Sequence, residues 1–254
     1  MIESLLPADI TLSASLTLIL VSAATSFLTA AAGIGGGIVL LAVMAVLVPA
    51  PAIIPVHGAV QIGSNTGRTA IMLPHVEWSI LIPFVAGAVL GAGLGGLTAV
   101  QLSPGVLKAG LACFILWSVW GKISFSPGRA LTIGTGVVSS FLTMFFGATG
   151  MFVSAMVKTL KLGRLEHVAT HSACMVIQHV IKVMVFGLLG FGYGPYAGLI
   201  AAMVLSGFAG TLIGKRFLVK MDDKLFHKVL SLILTLLALR LLYEGVTLML
   251  NGAG

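Results

Sequence analysis

The stretch SFLTAAAGIGG, residues Ser26 to Gly36, returns 114 residues later as SFLTMFFGATG, residues Ser140 to Gly150. The match runs on. At the same offset His57 falls on His171, Ala59 on Ala173 and Arg68 on Lys182; past a small insertion, Gly91 and Gly95 fall on Gly210 and Gly214. Rare polar residues agree as well as common apolar ones, which chance similarity between greasy segments does not produce. The chain therefore reads as one membrane domain, residues 1–254, built from a duplicated unit: repeat one at about 10–122 and repeat two at about 128–250.

Composition places this unit in a bilayer. Of 254 residues, 58% are hydrophobic and 8% charged, whereas soluble domains run to about 45–50% apolar and about 25% charged. A net charge of +7 would suggest nucleic acid in a soluble chain. Here most Lys and Arg fall in short loops, as the positive-inside rule requires. No run mixes basic residues with stacking aromatics, so lipid is the expected surrounding and nucleic acid is not a partner. Cys113 and Cys174 lie in apolar segments and imply neither a disulfide framework nor a CxxC metal site; no metal and no cofactor is expected. The opening MIESLLPADI has no Lys or Arg, so it lacks the positive n-region of a cleaved signal and the first segment reads as retained.

A membrane helix needs about 20 apolar residues. Long segments run roughly over 10–32, 52–73, 78–101, 105–121, 128–146, 165–189, 196–218 and 225–250, and two shorter ones, about 36–49 and 148–158, follow the glycine breaks. Lipid cannot solvate an unpaired backbone and no barrel-strand period is present, so the expectation is all-α. Eight crossings would make the repeats parallel. Ten crossings, five per repeat, would make them inverted. Both counts put loops 158–164 and 215–228 in the cytoplasm and both termini outside. The ten-crossing count leaves Lys108 as the one loop cation opposite the rich face, which favours inverted repeats by a small margin. Re-entrant short pieces remain an alternative.

Two features carry chemistry. His57, Gln61, Ser64 and Arg68 are four, three and four residues apart, one face of a helix, with Asn65 beside Gln61. The second copy gives His171, Met175, Gln178 and Lys182 at the same spacing, with His179 alongside. A charge at the bilayer centre costs about 2.5–3.5 kcal/mol even on an insertion scale. Such groups either face the bundle interior or snorkel from a helix end to the interface. Neither segment holds a carboxylate to neutralise its cation, which points to an anion. The second feature is the pair of breaks, GIGGG at 33–37 and GATG at 147–150. A helix that starts after such a break aims unpaired N–H groups and its positive dipole end into the gap, a ready anion cradle. Broken helices in corresponding halves mark a transporter site.

The glycine-rich AAGIGGGIVLLAVM, the polar VHGAVQIGSNTGR, the HVEW that follows and the duplicated layout resemble the TauE/SafE sulfite exporter family, over nearly the whole chain. The resemblance implies a permease of the cytoplasmic (inner) membrane for sulfite, sulfonates or related organic anions. On this reading Arg68 and Lys182 supply charge; Gln61, Ser64, Asn65 and Gln178 supply hydrogen bonds; backbone N–H groups near Gly35, Gly36, Gly37 and Gly150 complete the cradle. His57, His171 and His179 could carry coupled protons. No ATP-binding loop is present, so an ion or substrate gradient would drive it. An anion channel is one alternative. An intramembrane enzyme is another, weakened by the absence of HExxH, GxSxG or a carboxylate beside either histidine. A homo-oligomer is open.

Overall fold

The computed structural model describes residues 6–32, 35–99, 103–121, 128–217 and 223–251. Among them are ten α-helices: α1 (Leu12–Ala32), α2 (Gly36–Leu47), α3 (Ala50–Ile71), α4 (Leu81–Ala99), α5 (Pro104–Trp120), α6 (Arg129–Phe146), α7 (Gly150–Lys158), α8 (Arg164–Leu188), α9 (Ala197–Lys215) and α10 (Asp223–Leu250). No strand occurs among these residues. Six helical stretches are long and apolar enough to cross a membrane. The protein is an all-α integral membrane protein.

Hydrogen bonds at the helix ends fix the direction of each helix. The Lys215 ammonium, at the end of α9, donates to the Ile71 carbonyl at the end of α3 at 2.8 Å. His75, just past α3, lies 3.6 Å from Glu166 in the first turn of α8. Arg164, the first residue of α8, donates to the Ala31 carbonyl near the end of α1 at 3.4 Å. So α1, α3 and α9 end, and α8 begins, on one face. That face also carries Lys158, Lys161 and Arg216; we call it the lysine-rich face. Lys122, Lys220 and Asp222 lie outside the described residues.

Helix packing then gives the remaining directions. A β-carbon on Gly87, Gly91 or Gly95 of α4 would run into the backbone of Ile133, Val137 or Phe141 of α6, in step, so α4 and α6 run parallel. Gly210 and Gly214 of α9 stand against the Ala23 and Phe27 carbonyls of α1 in the same way, and the Ser206 hydroxyl donates to the Ile19 carbonyl at 2.8 Å. Small residues four apart let these helices touch backbone to backbone. α6 therefore leaves the lysine-rich face while α1 arrives at it. The first five helices and the last five run in opposite senses, an inverted arrangement in which α2 and α7 also reverse the chain. The contacts cross between the halves: α1 packs on α9, α4 on α6, α5 on α10 and α3 on α8.

The short helices explain how the interior is built. At 1.5 Å per residue, the 12 residues of α2 and the 9 of α7 span roughly 18 Å and 14 Å, well under a hydrocarbon core of about 30 Å. Their C-terminal ends join α3 and α8 at the two faces, so their N-terminal ends lie inside the membrane. The turns before them need left-handed backbone, supplied by Gly35 (φ 105°) and Gly147 (φ 69°). An apolar cluster of Leu40, Leu41, Met44, Ile53, Val60 and Leu111 packs α2 between α3 and α5, and Val153, Met156 and Val157 pack α7 against Phe84, Ala88 and Cys174.

Candidate functional site

The polar stripes of α3 and α8 face each other in the core. His57, Gln61, Ser64, Asn65, Arg68, His171, Gln178, His179 and Lys182 are all buried; Arg68 is 1% exposed and Lys182 0%. Neither cation snorkels. The two helices cross antiparallel. Arg68 Nη1 donates to Ser172 Oγ at 3.4 Å, the Lys182 side chain lies against Gly58, and the His57 and His179 rings meet edge to face at 5.9 Å. By the repeat offset Ser172 corresponds to Gly58 and Lys182 to Arg68, so the two cations occupy mirrored places at opposite ends of one stripe.

Among the described residues no carboxylate comes within ion-pair distance of either cation. Arg68 is held by Asn65 Oδ1 at 2.9 Å and Ser64 Oγ at 3.3 Å, and its Nε has no partner. The Lys182 ammonium donates to the Gly147 carbonyl at 2.9 Å, at the break before α7. A buried charge without a counter-charge leaves the surrounding interior electropositive.

These bonds also orient the amides. A guanidinium only donates, so Asn65 turns Oδ1 to Arg68 and its Nδ2 donates to the Gln61 main-chain carbonyl at 2.8 Å and to Gln61 Oε1 at 3.0 Å. Gln61 then presents its NH₂ group. In the other half, Gln178 is tied into the wall: its Nε2 donates to Thr149 Oγ1 at 2.6 Å and its Oε1 accepts from Ser139 at 3.2 Å. His57 and His171 lie 2.9 Å and 3.1 Å, through Nε2, from the Gly37 and Gly150 carbonyls, at the starts of α2 and α7. In the neutral ring Nε2 is then the donor, and Nδ1 of each is left buried without a partner.

A cavity of about 260 Å³ lies between these elements. Of the residues singled out by sequence, Gly35, Gly37, His57, Gln61, Asn65, Gly150, His171 and His179 line it. Gly36, Ser64, Arg68, Gln178 and Lys182 stand behind the lining. Gly36 packs on the Thr25 carbonyl, and Ser64 bonds Ser26 of α1 at 2.9 Å. The cavity also takes in Thr29, Ser118, Met151, Met175 and Ser231, none of which sequence reasoning marked as a site residue. Ser118 and Ser231 gave little signal, because a serine in an apolar helix can bond its own backbone, as Ser118 does to the Ile115 carbonyl at 2.7 Å.

The starts of α2 and α7 both border this space, and neither has a side-chain cap. In α7 the Phe152 N–H turns back to the Thr149 carbonyl at 3.1 Å, but the first N–H groups of both helices have no intrahelical acceptor, and α2 and α7 run in opposite senses, so two positive helix ends converge. The wall thus combines backbone N–H donors, the Gln61 amide and imidazoles. Among the described residues no group of three or more His, Cys, Asp or Glu could hold a metal ion. The arrangement suits a small oxyanion.

Residues 18–241 match the family model described as Sulfite exporter TauE/SafE. No curated protein and no solved structure matches the chain. With the match spanning most of its length, the chain belongs to the sulfite exporter TauE/SafE family.

Proposed function

We infer that this protein is a secondary carrier for a small oxyanion, sulfite or an organic sulfonate, and that the cavity between α2, α3, α7 and α8 holds it. Family membership carries the coarse part: a multi-pass membrane transporter of sulfite-like anions. The finer reading rests on one observation, the convergence of two uncapped half-helix N-termini on one cavity.

The bound anion would take N–H donors from the first turns of α2 and α7 and from Gln61, with Arg68 and Lys182 providing the positive field behind them. Among the described residues no charged donor lines the cavity, so release needs no ion pair to be broken with them. Movement of one half against the other would expose the site to each face in turn. His57 and His171 would couple protons to this movement, each sitting where a half-helix begins. The lysine-rich face is cytoplasmic by the positive-inside rule, which puts both termini outside the inner membrane.

The test is flux of radiolabelled sulfite and of 2-aminoethanesulfonate in proteoliposomes, with and without a pH gradient. Saturable, gradient-driven flux is expected. Large non-saturating currents would assign a channel, and absence of both would remove the reading.

A further inference from the structure

The cavity is not centred between the two faces. Its lining from α5 is Ser118 and Val119 and from α10 Ser231 and Leu234. These lie at the end of α5 and in the first half of α10, both toward the lysine-rich face. Neither the beginning of α5 nor the end of α10 contributes.

Toward the far face the same two helices are closed on each other. A β-carbon on Gly245 would press on the Ala109 nitrogen at 2.7 Å and the Gly105 carbonyl at 2.9 Å. Beside this contact the Lys108 ammonium meets Glu244 Oε2 at 2.8 Å, with side chains only 18% and 26% exposed. Lys108 comes from the first half of the chain and Glu244 from the second.

We propose that Lys108 and Glu244 are working residues of the transport cycle, the latch of the far gate, closed in this conformation and parted when the site faces the other way. Movement of the halves must separate α5 from α10 on the far side, and this ion pair spans that seam. Glu244 has a second cation on its own helix, Arg240, whose Nε lies 3.0 Å from Oε1. When Lys108 withdraws, the carboxylate therefore keeps a partner, and Lys108, near its helix start, can reach the headgroups. A pair whose acid never loses all neutralisation can open and close with little penalty, as a cyclic latch requires. The Trp120 indole bond to Thr235 at 3.1 Å on the lysine-rich side is a neutral, exposed tie, weaker by its chemistry.

The proposal rests on the carrier reading, and its test needs no substrate, so the two fail separately. A Cys113→Ala, Cys174→Ala parent carries Met151→Cys in the cavity wall. Sealed vesicles are treated with an impermeant maleimide from one face at a time. The parent labels from the lysine-rich face. Lys108→Ala and Lys108→Glu should raise far-face labelling several-fold and lower it from the lysine-rich face, with Lys108→Arg at the parent values. Glu244→Gln, close in shape to the native side chain, asks the same question if Lys108→Ala does not fold. Far-face rates that stay at or below the parent's overturn the proposal. So does a rise from both faces, which means a loosened bundle.

Discussion

The Arg68 guanidinium donates to Asn65 Oδ1 at 2.9 Å, and this bond decides which end of the neighbouring Gln61 amide is turned to the cavity, where its Nε2 lies 3.4 Å from His57 Nε2. A cation one layer behind the wall thereby acts on the cavity through a neutral side chain. Asn65→Leu should release Gln61 and weaken sulfite binding by about 1–2 kcal/mol, roughly 5- to 30-fold in Kd, although Arg68 stays in place. Calorimetric titration measures this; an unchanged Kd contradicts the role given to the amides.

Lys182→Met should separate stability from binding. Removing a buried cation that has no carboxylate partner leaves no orphaned charge. The Gly147 carbonyl keeps its 2.9 Å bond from Thr143. Tm without ligand is expected to hold or rise, while the Tm increase that sulfite gives the parent is lost. A large drop in Tm with the sulfite response intact would show a structural lysine instead.

The two neighbouring glycines of α2 should behave differently. A β-carbon on Gly36 would collide with the Thr25 carbonyl, and backbone cannot move aside cheaply. Gly36→Ala should therefore lose folded, monodisperse protein. A β-carbon on Gly37 would stand 3.2 Å from Gln61 Nε2, a side chain that can shift. Gly37→Ala should fold and raise KM several-fold. Equal behaviour of the two in size-exclusion profiles and flux would refute the placement of Gln61.

Much of this was legible in the sequence, for identifiable reasons. The duplicated SFLT segments carried the two-repeat plan, because glycines that permit a break and polar residues that fill it are rare in an apolar chain; that the repeats are inverted was favoured only by the count of loop cations. Spacing of four, three and four residues placed His57, Gln61, Ser64 and Arg68 on one face, since helix geometry is the same in lipid as in water. Spacing says nothing of depth, however. It did not show that Arg68 and Lys182 stand behind the lining while Gln61 is at it. Nor did it show that Gln178 closes on Ser139 and Thr149 of its own half. Arg240 and Glu244 stand four apart on one helix, a spacing that by itself allows a pair, and they do bond. The partner from Lys108, on a helix far away in sequence, was not readable, because it depends on how α5 and α10 pack.

For proton coupling, glutamine at His57 and His171 keeps an N–H donor toward Gly37 and Gly150 but cannot take a proton near neutrality. The double variant His57→Gln with His171→Gln should transport with a flattened pH profile between about pH 5 and 8. A profile that follows the parent's would place the coupling elsewhere.

The central claim is that two half-helix N-termini hold one anion between them. Selenite has the shape and charge of sulfite and a selenium atom that scatters anomalously. An anomalous map of the protein with selenite should show one peak in the cavity, between the first turns of α2 and α7 and within hydrogen-bond reach of Gln61. A peak at the lysine-rich surface alone, or an empty cavity at saturating selenite, would contradict it.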